Sequence, residues 1–134
     1  MRKLSLSSLE KKLDRVFSEY IRLRDADKGG TVQCVTCKKL MFWKDSHAGH
    51  FVKRQHRSLR WNELNAHPQC VACNTYQGGR QDDYAAYIIK RYGVNAFNKL
   101  VEMKYQIAKF SRADLMEMIE RFKGLLNERT RITS

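Results

Sequence analysis

Four cysteines set the tightest limit on how this chain folds. They stand as two pairs, Cys34-x-x-Cys37 and Cys70-x-x-Cys73, with 32 residues between the pairs. A two-residue gap lets two thiolates from one tight turn face a single tetrahedral ion, and two such turns close a four-sulfur site. The intervening length exceeds the roughly 15–20 residues of an ordinary zinc ribbon, so a further unit is inserted between the halves of the staple. Two disulfides are the rival reading. The first residues, MRKLSLSSLEKKLDRVF, carry charge but no uninterrupted apolar core of the kind a secretory signal needs. The expectation is therefore an intracellular chain in which paired cysteines hold structural zinc. Four thiolates leave that ion no open position, so it supplies folding energy rather than chemistry.

The insert is unusual in charge and in histidine content. The chain carries a net +12, divided as +3 over residues 1–33, +6 over 34–80 and +3 over 81–134. All four histidines, His47, His50, His56 and His67, lie between the cysteine pairs. A basic excess raises the local concentration of polyanions, of which nucleic acid is the commonest. Lys53, Arg54, Arg57 and Arg60 read as phosphate contacts, although Arg60 can instead pack on Trp61; His56 reads as loop surface. Cutting a phosphodiester needs an activated water and a cation on the leaving oxygen. An imidazole can be the base, and imidazole, amide or carboxylate can hold the cation. His47 and His50 are free for such work if the cysteines already satisfy one zinc.

Around this core the pattern is helical. The 134 residues suit one α+β domain, with no apolar run near the ~20 residues of a membrane span. Residues 1–30 read as an N-terminal helical arm. Its helix spans 7–27, opened by a Ser7/Glu10 capping box, with Leu9, Leu13, Val16, Phe17, Tyr20 and Leu23 along one face. Residues 31–80 form the zinc core: TVQCV and KLMFW as a hairpin around Cys34 and Cys37, HAGHFV as a strand, 53–61 as a basic loop, and a short helix from Cys70 that Gly78-Gly79 breaks. Residues 81–134 hold three helices, over 82–92, 94–110 and 111–129. The last is capped by Ser111 and Asp114. Their apolar stripes mean core or dimer packing.

The runs H-A-G-H-F and L-R-W-N-E-L-N-A-H-P-Q-C-V-A-C-N resemble the HNH, or ββα-metal, nucleases. More closely they resemble the NinG/Rap family of lambdoid phage recombination proteins, through Ala48, Gly49, His50, Leu59, Arg60, Asn62, Glu63, Asn65, His67, Gln69, Cys70, Cys73 and Asn74. The placing of the histidines between two C-x-x-C pairs is also similar to the endonuclease VII type of phage resolvase. The resemblance covers residues 34–80. It implies a zinc-stapled ββα-metal core and endonucleolytic cutting of branched recombination intermediates such as Holliday junctions and D-loops, in the cytoplasm of a bacterial host. By the same resemblance His50 is the general base, Asn74 a ligand of a catalytic cation, and Asn65 the middle asparagine that pins the loop and so orients the base. Many HNH proteins carry an acidic ligand just before the base, where Gly49 stands here. The endonuclease VII-like position three residues before it is His47, with Asp45 or His67 as substitutes. An imidazole ligand shifts the expected ion from Mg²⁺ towards Mn²⁺.

Three readings of function remain open on the sequence: a junction endonuclease, a non-catalytic junction-binding accessory, and an HNH nicking or restriction-type enzyme on plain duplex. Two-fold junctions suit two-fold proteins, so a homodimer through the terminal helices is expected, beside a recombinase the sequence does not specify.

Overall fold

The computed structural model describes residues 3–133. In order along the chain are α1 (Leu6–Arg24), β1 (Thr31–Gln33), β2 (Leu40–Phe42), β3 (His47–His50), α2 (Arg57–Arg60), β4 (Ala66–Gln69), α3 (Gln81–Tyr92), α4 (Val94–Met103) and α5 (Arg112–Thr133). A 3₁₀ turn at Trp43–Asp45 precedes β3, and a π-helical turn at Ala72–Tyr76 follows β4. The architecture is α+β, with two antiparallel hairpins, β1–β2 and β3–β4, among five helices.

The apolar stripe of α1 is buried as its spacing predicts, at Leu9, Leu13, Val16, Phe17, Tyr20 and Leu23. Its start differs from expectation. Ser5 is the N-cap and accepts from the Ser8 amide at 3.1 Å. Glu10 is not part of a cap, because its carboxylate is drawn to Arg57 at 2.6 Å. The helix stops at Arg24, short of residue 27. Ser111 and Asp114 do cap α5 reciprocally, at 2.9 and 3.1 Å. The segment expected to be helical over 94–110 ends at Met103, and residues after it turn so that Phe110 meets Trp61 edge-on at 5.3 Å.

The β4 strand is the main element that the sequence did not announce. Ala66-His67-Pro68-Gln69 does not alternate, since all four residues are buried, and proline within a run argues against a strand. Both faces of this strand are covered, so alternation has no solvent side to report. It pairs antiparallel with β3, His47 opposite Gln69 and His50 opposite Ala66. On its other side the Pro68 carbonyl accepts from the Val35 amide at 3.0 Å, joining the second hairpin to the cysteine turn of the first.

Two apolar clusters sandwich β3–β4. On one side α1 and α5 pack on each other, with Phe17 and Phe122 edge-to-face at 5.0 Å, and Trp61 and Ala66 close the cluster. On the other, Val35, Val52 and Leu59 meet Tyr84, Ile88 and Leu100 of α3 and α4. The terminal helices, expected as a dimer surface, therefore spend these apolar faces inside one chain. Phe122→Ala should cost about 3–5 kcal/mol of stability in chemical denaturation, because Phe122 is fully buried between α1 and α5. Ile107→Ala, at a residue 90% exposed, should stay within about 0.5 kcal/mol of wild type.

Candidate functional site

The four cysteine sulfurs lie within 4.8 Å of one another. Cys37 and Cys70 Sγ are 3.7 Å apart, close to the roughly 3.8 Å edge of a tetrahedron with bonds of about 2.3 Å. The donor set and spacing fit zinc. Burial opposes the Cys34 thiolate, yet the Thr36 hydroxyl and neighbouring amides hold its pKa down to about 6. Burial, with the adjacent sulfurs, pushes Cys37 up to about 12. Thiolates this close repel one another, and a divalent cation held among them would remove that conflict. Lys38, in the left-handed region at φ 71°, turns the chain after the first pair so that its amide reaches the Cys34 carbonyl at 2.9 Å.

Beside this cluster runs a cavity of about 750 Å³. It is lined by His47, Ala48 and His50 of β3, by Asp14, Ser18 and Arg22 of α1, and by Lys44, Lys53, Arg54 and Asn74. Strand residues alternate faces, so His47 and His50 lie on opposite sides of the hairpin, yet both line the groove. Position 49 shares the face of His47, but a Cβ there would stand 1.8 Å from Gln69 Oε1. Gln69 cannot readily yield, because its amide donates to Thr36 Oγ1 at 3.2 Å and the Gly79 carbonyl at 3.0 Å. The residue before His50 must therefore be glycine, and the nearest side chain of the same parity is His47.

Asn74, placed by the helical turn directly after Cys73, lies with its amide 3.0 Å from His47 Nδ1. Two ligands at right angles on a cation with bonds of about 2.1 Å are also roughly 3 Å apart, and the amide's N and O can exchange places. His47 and Asn74 thus fit a divalent ion. His50 is held by its Nε2, 2.9 Å from the Arg60 carbonyl. Burial lowers its pKa, the Arg60 carbonyl opposes this, and the Arg54 guanidinium lowers it further. Asn65 is fully buried and joins two parts of the loop: its Oδ1 accepts from the Val52 amide at 2.8 Å, and its Nδ2 donates to the carbonyls of Val52 at 2.9 Å and Leu59 at 3.0 Å. All of these contacts are to the loop backbone, and its side chain is closed off from the groove.

The family described as Bacteriophage Lambda NinG protein matches residues 2–131. The chain belongs to the NinG family. It is 32% identical over 106 residues to "Protein ninG" of Escherichia phage lambda, covering 75% of this chain and 48% of that protein. It is 31% identical over 106 residues to "Protein ninG" of Salmonella phage P22, covering 75% and 49%. The chain thus spans about half the length of the curated relatives it matches. No solved structure matches it.

In this NinG-family chain several residues expected at the groove lie elsewhere. His67 is on the hairpin face towards α3, with Nδ1 3.0 Å from the Tyr84 hydroxyl and Nε2 2.9 Å from that of Tyr92. Burial, then the charges of Arg24 and Arg91, press its pKa to about 3. With both nitrogens engaged it is no substitute ligand. Asp45 is exposed and lines a hollow beside Cys37, Cys70 and Cys73. Arg60 is taken by Asp14 at 3.0 and 2.5 Å and stacks over Trp61 at 5.0 Å, so it is not a free phosphate contact. Arg57 turns to Glu10. Lys53 and Arg54 remain exposed on the groove, Arg54 with its guanidinium 3.6 Å from the Asp14 carboxylate at the solvent side, and α1 and the 3₁₀ turn add Arg22 and Lys44. Sequence reasoning passed over Arg22 and Asp14 because they lie outside the histidine insert and read as solvated helix face, and Lys44 because it follows directly on a segment read as a hairpin. The one available signal was that acidic residues occur on α1 four apart, at Glu10 and Asp14, opposite arginines in the insert. Elemental analysis of purified protein should find one zinc per chain, and Cys73→Ser should lose both the metal and a cooperative unfolding transition; folded, zinc-free protein would overturn the metal reading.

Proposed function

We propose that this chain is a divalent-metal-dependent DNA endonuclease of the HNH type, acting on branched recombination intermediates. The observation that carries the reading is the convergence of His50, His47 and Asn74 on one cation-lined groove. Strand, pinned loop, strand and helical turn also follow one another in ββα-metal order from β3 to Asn74. With Nε2–H donated to the Arg60 carbonyl, the imidazole lone pair of His50 is on Nδ1. Burial keeps that ring neutral near pH 7, the state needed to take a proton from an attacking water. A divalent cation bound by His47 and Asn74 would supply charge stabilisation at the departing 3′ oxygen. Lys53, Arg54, Arg22 and Lys44 line this one groove and would seat the phosphates that flank the scissile bond. Cutting leaves a 5′ phosphate.

Branched DNA as substrate rests on the resemblance of the Leu59–Asn74 run to junction-cutting nucleases. Paired cuts on a two-fold junction call for a homodimer. Its interface would lie outside the α1–α5 contact, whose apolar faces are already buried. The bacterial cytoplasm is the proposed site of action.

Junction affinity should fall steeply with salt. Lys53→Ala or Arg54→Ala should each lower the slope of log affinity against log salt by about one phosphate, whereas Arg60→Ala should leave that slope unchanged; equal slopes for all three would refute the assignment of the exposed pair. His50→Ala should abolish metal-dependent cutting of a four-way junction while zinc content and junction binding persist. His47→Asp should restore cutting lost in His47→Ala and shift preference from Mn²⁺ towards Mg²⁺, since a hard cation prefers carboxylate oxygen. Wild-type cutting by His50→Ala, with contaminating nuclease excluded, would sink the nuclease reading in favour of a junction-binding accessory.

A further inference from the structure

We propose that Asp14, on the N-terminal helix and outside the cysteine-bounded insert, is a positioning residue that holds His50 in its working orientation by clamping the backbone of α2. The proposal rests on the nuclease reading and assigns α1 a part in it.

The chain of contacts is short. The Asp14 carboxylate accepts three hydrogen bonds, from Arg60 Nε at 3.0 Å, Arg60 Nη2 at 2.5 Å and Trp61 Nε1 at 2.9 Å. Arg60 in turn presents the carbonyl that accepts from His50 Nε2 at 2.9 Å. The carbonyl before it, on Leu59, accepts from Asn65 Nδ2. Two successive carbonyls of one short helix therefore receive the buried asparagine and the base. α2 has only four residues, far fewer than the ~12–15 that make an isolated helix even marginal in water. Its backbone must be held from outside, and Asn65 holds only Leu59.

The hold on Arg60 is directional. A carboxylate facing the planar guanidinium fork fixes orientation as well as distance. The third bond, from the Trp61 indole, ties the next residue to the same carboxylate. Arg60 and Asp14 side chains are only 18% and 19% exposed, so water competes weakly for the contact. A second tie runs in parallel: Glu10, one turn earlier on α1, pairs with Arg57, three residues earlier on α2. Residues four apart, and three apart, share a helix face, so the two carboxylates and two arginines meet as a matched set. An ordinary surface ion pair would show neither the shared indole donor nor a backbone carbonyl aimed at the proposed base.

The test uses the full-length chain and measures cutting and the His50 ring separately. Wild type should cut a four-way junction and show a single His50 tautomer, protonated at Nε2, in ¹⁵N imidazole spectra. Asp14→Asn keeps the shape and removes the charge. It should lower kcat on the order of 100-fold, the scale expected when a catalytic group is misplaced by about 1 Å. Zinc content should stay near wild type, KM for the junction should not rise, because the change removes a negative charge from beside Arg54, and the His50 spectrum should become a tautomer mixture. The double variant Asp14→Asn with Arg60→Ala should lose little more than either single variant, since both break one link. If Asp14→Asn fails to fold, Arg60→Lys, which keeps the charge but gives up the fork, should show the same tautomer mixing. A wild-type kcat and a single His50 tautomer in either folded variant overturn the proposal while leaving the nuclease reading in place. Absence of cutting by wild type sinks the nuclease reading itself, and the tautomer spectra then decide whether Asp14 orients His50.

Discussion

The convergence of two cysteine turns, 34–37 and 70–73, is the constraint on which the rest of this structure depends. It closes a long insert at its base, so that Val35 lies beside Pro68 and β4 is trapped between two neighbours. It also fixes where the chain goes next. Asn74 follows Cys73 directly and has no freedom to leave the end of β3, where His47 waits. A metal held by the four sulfurs next door would thus offset the ordering cost of a small polar groove.

Between its ends the insert is held by polar contacts to backbone. Asn65 spans the loop from within, joining Val52 to Leu59. Gln69 links the cysteine turn to the hairpin through Thr36 and Gly79, and in doing so denies position 49 a side chain. Loops of this length seldom order themselves. Here each rigid point is a buried amide whose donors are spent on carbonyls or a hydroxyl, which makes the loop shape specific rather than merely compact.

The histidines show how one hairpin sorts identical side chains. His50 faces α1, is half-buried beside Phe17 and keeps one nitrogen on a backbone carbonyl. His67, one strand over and on the opposite face, is enclosed by Tyr84, Tyr87 and Tyr92 and is committed to packing. Nothing about the two imidazoles differs intrinsically; strand parity and the neighbouring helix decide their chemistry.

Legible in the sequence alone were the features with local signatures. Paired cysteines announce a metal turn by their spacing. The stripe from Leu9 to Leu23 announces a buried helix face, and Ser111 with Asp114 announces the start of α5. His50 and Asn74 stood out by their place in a motif. Only tertiary structure decided the rest. The β4 strand is covered on both faces, so it lacks the alternation that a half-buried strand displays. Asp45 and His67 stood as substitutes for His47, because sequence distance says nothing about which face of a hairpin a side chain takes. Arg60 read either as a phosphate contact or as packing on Trp61, and it was Asp14, 46 residues away, together with that ring, that decided between them. Charge and motif are properties of single positions, whereas a site is a set of distances, and those are set by which elements pack together.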